Sequence, residues 1–86
     1  MKVGEHVIYV DSVANQHDAI VTNIFGDSEN PSVNVIFASG DSLKQDNYGR
    51  QVERATSCSH KTNNTAHGNY WMRVGEEPNP IVKGQS

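Results

Sequence analysis

Cys58-Ser59-His60 and His67 put a thiol and two imidazoles within one short stretch, the residue types that bind zinc or build a thiol nucleophile. Structural zinc sites use paired spacings, C-x2-C with H-x3-5-H, and a full tetrahedral ligand set. This stretch has neither, so it reads as a small buried thiol beside two loop histidines, with no metal and no cofactor expected. As a nucleophile, Cys58 would share a strand face with His60. Same-face neighbours along a strand lie about 7 Å apart, beyond the hydrogen-bond reach that a base needs to its thiol. Asp41, Asp46, Glu53, Glu76 and Glu77 have no partner at a spacing diagnostic of acid–base chemistry and read as solvated charges. No catalytic residue follows, and the chain is expected not to be an enzyme; a small metal- or Cys/His-dependent enzyme on Cys58, His60 and His67 is the remote alternative.

Recognition chemistry is better represented. Asp46-Asn47-Tyr48-Gly49-Arg50-Gln51 and Ala66-His67-Gly68-Asn69-Tyr70-Trp71 each set a glycine turn beside large side chains that hydrogen-bond. Aromatic and arginine side chains dominate interaction hot spots, so Tyr48, Arg50, Tyr70 and Trp71 form the candidate partner-binding surface. Tyr70 and Trp71 are consecutive, so on a strand only one is expected to face the core.

Charge bears on the partner. Ten acidic against seven basic residues give a net charge of −3, which argues against a role resting on phosphate neutralisation. The segment from Lys44 to Arg73 is locally the reverse, with Lys44, Arg50, Arg54, Lys61 and Arg73 against Asp46 and Glu53. A protein partner is therefore the first expectation and nucleic acid, gripped as a single strand, the alternative; a homo-oligomer is compatible with the sequence. The single cysteine rules out an intramolecular disulfide scaffold. The hydrophobic run near the N-terminus is too short for a signal-peptide core or a membrane span. A cytoplasmic setting, in a cell or in a host cell or virion if the chain is viral, and no membrane contact are the expectations.

At 86 residues and 35% hydrophobic, the chain has enough for one small core and little for an enclosed substrate cavity. Alternating β-branched and aromatic residues mark strands over roughly His6 to Asp11, Asp18 to Phe25 and Ser32 to Ala38. Val7 and Tyr9 face one side of the first strand and Ile8 and Val10 the other. Both sides are apolar, which places this strand centrally in a curled sheet or under a cover. In the second, Ala19, Val21 and Phe25 oppose Ile20, Thr22 and Ile24, and Asn23 marks a bend or bulge. In the third, Val33, Val35 and Phe37 face the core. Residues 40–50 read as a long polar loop with room for one helical turn after Asp41. A fourth strand spans Gln51 to Ser59 with Val52 and Cys58 inward, and a fifth Tyr70 to Val74. Residues 1–75 thus form the domain, and 76–86 a proline-stiffened tail whose Ile81 and Val82 pack on the barrel, dock on another subunit or hang free, the last being the simplest expectation.

Gly4-Glu5 before a hydrophobic strand, a polar turn, then Ala19-Ile20-Val21 and a third strand over Val33 to Phe37 resemble small SH3-like barrels of the KOW and Tudor type. The resemblance implies an all-β, antiparallel barrel of about five strands. The wider run, through Asp46-Asn47-Tyr48-Gly49-Arg50-Gln51 and His67-Gly68-Asn69-Tyr70-Trp71, is similar to uncharacterised bacteriophage and prophage proteins, which implies an accessory or virion-associated role and carries over no catalytic residue.

Overall fold

The computed structural model describes residues 1–63 and 68–79; His67, Ile81 and Val82, for which expectations were stated above, lie outside them. Within that range the strands are β1 His6–Val10, β2 Gln16–Phe25, β3 Ser32–Ala38, β4 Gln45–Asp46, β5 Gly49–Arg50, β6 Val52–His60 and β7 Tyr70–Met72, with one 3-10 turn, Lys61–Asn63, after β6. β1, β2, β3, β6 and β7 close into a barrel in that order. The architecture is the small all-β barrel expected.

One expected feature is corrected. The barrel is mixed, because β6 and β7 pair in parallel, Ser59 with Tyr70 and His60 with Trp71. Neighbours in an antiparallel ring must alternate in direction, and a ring with an odd number of strands cannot alternate all the way round. β7 completes the antiparallel ladder with β1, which leaves it running the same way as β6. The 40–50 segment differs too. It has no helical turn after Asp41; β4 and β5 form a separate hairpin there.

Alternation fills the barrel with Val7, Tyr9, Ala19, Val21, Val33, Val35, Cys58 and Trp71, against which Ile24, Phe37 and Ala55 pack. Two register shifts reset that alternation. In β2 the shift falls between Val21 and Asn23, at the expected break, and beyond it Ile24 takes the inward place assigned to Phe25, which is half-exposed. In β6 the step from Ala55 to Cys58 matches the shorter step from Val35 to Val33, and Ser57 takes a left-handed φ of 54°. An extra residue moves every side chain before it to the other face. Ala55 therefore packs inward and Val52, expected in the core, is exposed.

The second apolar side of β1 is also covered. Val10, Tyr70 and Met72 form a smaller buried cluster with Ile8 packed against it. Residues 76–79 do not hang free. The Asn79 backbone N–H donates to the Tyr70 hydroxyl (2.9 Å), its side-chain amide to the Lys61 carbonyl (2.9 Å), and the Lys61 ammonium to the Glu77 carbonyl.

Candidate partner-binding surface

The residues named for recognition separate into two places. Tyr48 is at the tip of the β4–β5 hairpin, where Asp46 pairs with Gly49 and only Asn47 and Tyr48 lie between. Asp at the first and Gly at the fourth position suit a tight turn, since the Asp46 carboxylate accepts the Tyr48 backbone N–H (2.8 Å) and Gly49 takes a φ of 123°. The hairpin base is closed by Gln51 N–H to the Lys44 carbonyl, and the turn that leads into it by Lys44 N–H to the Asp41 carbonyl, each 3.0 Å. Nothing covers the tip. Tyr48 is 98% and Leu43 89% exposed, and Arg50, also exposed, extends back towards the Ser39 carbonyl (3.5 Å).

Tyr70 and Trp71 are both buried, at 3% and 0% exposure. They do face opposite sides of β7, as consecutive strand residues must, but the outer side is covered as well. Trp71 fills the barrel, donating its indole N–H to the Pro31 carbonyl (2.8 Å), while the Arg73 guanidinium lies 5.0 Å from the ring centre. Tyr70 is held beneath Asn79. Of the four candidates, Tyr48 and Arg50 are exposed on the same hairpin; Tyr70 and Trp71 are buried away from it.

Cys58 and His60 do not make a nucleophile and its base. Burial pushes the Cys58 thiol up to about 11, and its one hydrogen bond is a long one to the Thr56 carbonyl. The His60 ring packs edge-on against Trp71, and both its nitrogens are engaged, Nδ1 by Thr62 (2.9 Å) and Nε2 by the Glu76 carboxylate (3.0 Å). The Arg73 backbone N–H, and then the His60 ring, hold the Glu76 carboxyl below its usual range. This pair fastens the C-terminal segment to the barrel. Among the described residues, no three His, Cys, Asp or Glu side chains come together to hold a metal ion.

A polar cleft of about 360 Å3 lies beside the hairpin base, with Gly40, Asp41, Glu53 and Arg54 on one bank and Asp11, Ser12 and Asn15 on the other. At its floor His17 bonds Asp11 through Nε2 (2.8 Å) and packs on Phe37 at 4.7 Å between ring centres, while Tyr9 stacks on Phe37 and donates its hydroxyl to Asn69 (2.7 Å). The sequence reading passed over Asp11 and His17; their position at the two ends of a polar turn was the available signal. Asp11 Oδ1 accepts the backbone N–H groups of Val13 and Asn15, so one carboxylate closes the β1–β2 turn and orients the imidazole. Burial acts to raise the Asp11 pKa, but the bonds from His17, Asn15 and Val13 outweigh it and hold the carboxyl below its usual range. A carboxylate with a depressed folded-state pKa stabilises fully above its unfolded value, and that stabilisation is lost as pH falls through the folded value. Urea titrations are expected to show wild type losing stability below about pH 4. Asp11→Ala should cost about 1–2 kcal/mol at neutral pH and flatten that acid dependence.

The basic residues that kept nucleic acid in view are largely engaged within the protein. Lys44 pairs with Glu53 (3.7 Å), Lys61 bonds Glu77, and Arg73 donates to the Asn30 side chain (2.7 Å) and the Glu29 carbonyl (2.9 Å). Among the described residues, no helix is long and apolar enough to cross a membrane. Comparison with protein-family models, curated proteins and solved structures finds no match.

Proposed function

We propose that this domain is a non-enzymatic interaction module that binds a protein partner through the β4–β5 hairpin, with Tyr48 as anchor and Leu43 and Arg50 beside it. One observation carries the reading: the two largest apolar side chains of residues 41–50 stand almost wholly in solvent, Tyr48 on a hairpin whose backbone is hydrogen-bonded at base and tip and Leu43 in the hydrogen-bonded turn that leads into it. Exposing Leu43 and Tyr48 contributes nothing to the barrel, and a held backbone lowers the entropy lost on docking. The five-stranded barrel is compatible with an SH3-like domain of the KOW and Tudor type, and the likeness to bacteriophage and prophage proteins favours an accessory or virion-associated setting. The engagement of Lys44, Lys61 and Arg73 supports a protein over a nucleic-acid partner.

Alanine variants of Tyr48 and Arg50 test the surface. Exposed substitutions of this kind change stability by no more than about 0.5 kcal/mol. Tyr48→Ala is expected to weaken partner binding by about tenfold or more and Arg50→Ala by less, both with unchanged thermal midpoints. Unchanged affinity in both variants would remove the hairpin from the interface.

A further inference from the structure

The barrel closes at one end of β6 and leaves a seam at the other. The Ser39 N–H donates to the Gln51 carbonyl (2.8 Å), one step beyond the Ala38–Val52 pair. Bonded and non-bonded pairs alternate along an antiparallel ladder, so Phe37–Glu53 and Val35–Ala55 exchange the hydrogen bonds. The N–H and C=O groups of Val52 and Arg54 therefore point away from β3. On that side β6 meets β7 only at Ser59 and His60. Among the described residues, neither Val52 nor Arg54 has a backbone hydrogen-bond partner there. The cleft that Arg54 shares with Asp11 and Asn15 opens beside this stretch.

Exposed strand edges are usually short, charged or bulged, which limits what can pair with them. Here the Ser57 bulge ends regular pairing, and Arg54 sets the charge. A second copy of the chain fits badly. The two-fold register that uses the whole open stretch from Val52 to Thr56 sets Arg54 directly opposite its own copy, and like charges facing across a ladder are destabilising. Arg54 is exposed and makes no ion pair with the protein, so its charge is available to a different strand.

We propose that the Val52–Thr56 edge of β6 receives an extended segment of a partner protein as an added strand, with a carboxylate side chain of that segment opposite Arg54. This rests on the reading of the domain as a protein-binding module and gives that module a second contact, at the foot of the hairpin. The outward amides and carbonyls supply main-chain bonds, and Val52, Arg54 and Thr56, projecting to one face, select the side chains that lie beside them.

The test pans a random twelve-residue peptide display library on the intact chain, then follows amide hydrogen exchange by NMR with one selected, synthesised peptide. In the free protein Val52 and Arg54 amides are expected to exchange fast and those of Glu53 and Ala55 slowly. Bound peptide should slow Val52 and Arg54 at least tenfold. Selected peptides should carry Asp or Glu, and Arg54→Glu should weaken them at least tenfold and redirect selection towards Lys and Arg. Arg54→Pro removes one outward N–H and leaves the β3 ladder intact, so it should fold and lose the peptide. Slow exchange of Val52 and Arg54 in the free protein, a selection without binders, or peptides that bind without protecting these amides would each overturn the strand-addition site. A partner that needs Tyr48 yet leaves both amides unchanged overturns this site alone; absence of any protein partner overturns the module reading as well.

Discussion

Gly68→Ala is expected to abolish the cooperative unfolding transition or to cost at least about 3 kcal/mol, the largest effect of a glycine-to-alanine change among the described residues. Gly68 takes a φ of 83°, and a Cβ there would overlap the Asp11 carbonyl oxygen and lie 2.6 Å from its carbon and 2.8 Å from Ser12 Cα. The left-handed conformation costs an L residue about 1–2 kcal/mol, and the overlap is with backbone that no rotamer change can withdraw. The β1–β2 turn would have to shift, and Asp11 within it holds Val13, Asn15 and His17. Gly26→Ala supplies the control: its φ is 87°, but an added Cβ meets nothing within 4 Å, so only the conformational cost of about 1–2 kcal/mol applies. Urea titration of both variants decides the point. Equal losses would contradict the close approach of Gly68 to the β1–β2 turn.

Trp71→Ala should be nearly as damaging, about 3–5 kcal/mol, which approaches the whole stability expected of so small a domain. The side chain is fully buried, its ring meets His60 edge-on at 4.6 Å, and its N–H satisfies the Pro31 carbonyl. Removal leaves a cavity, an unpaired carbonyl and an Arg73 without its ring. Trp71→Phe keeps an aromatic body and loses the indole bond, so about 1–2 kcal/mol is expected. Denaturant midpoints of the two variants should fall in that order. A loss below about 1 kcal/mol for Trp71→Ala would instead mark a surface residue, as the sequence reading allowed.

The parts of this fold legible in sequence are those governed by local alternation. Val33, Val35 and Phe37 repeat with period two, and β3 spans Ser32–Ala38 as read. The apolar character of both faces of β1 correctly signalled a covered strand, although its cover, Tyr70 and Met72 of β7, comes from the far end of the chain. Register shifts were less accessible. Asn23 interrupts an apolar face and marks its bulge, whereas Ser57 is an ordinary polar residue in a polar strand, so the reversal that exposes Val52 left no trace. The burial of both Tyr70 and Trp71 was hidden for a related reason. Strand periodicity says that two neighbours face opposite ways, but whether the outer side meets water depends on where residues 76–79 return. The exposure of Tyr48 was readable because a short Asp-to-Gly turn forces its central residues outward, whereas Arg50 lies beyond that turn in β5. The β6 edge was not, since hydrogen-bond vacancy along a strand is a property of its neighbours.

Both proposed contacts lie along the 40–52 segment: the hairpin tip offers Tyr48, Leu43 is exposed just ahead of β4, and the hairpin foot leads into β6 at Val52. Such an arrangement suits recognition of another polypeptide, with an aromatic anchor for affinity and main-chain pairing for register. The most direct measurement is capture of partners by the tagged protein from host-cell lysate, with and without nuclease, run alongside Tyr48→Ala. The account predicts a protein species that survives nuclease and is lost or strongly depleted with Tyr48→Ala. Recovery that disappears on nuclease treatment, or a partner retained equally by Tyr48→Ala, would contradict it.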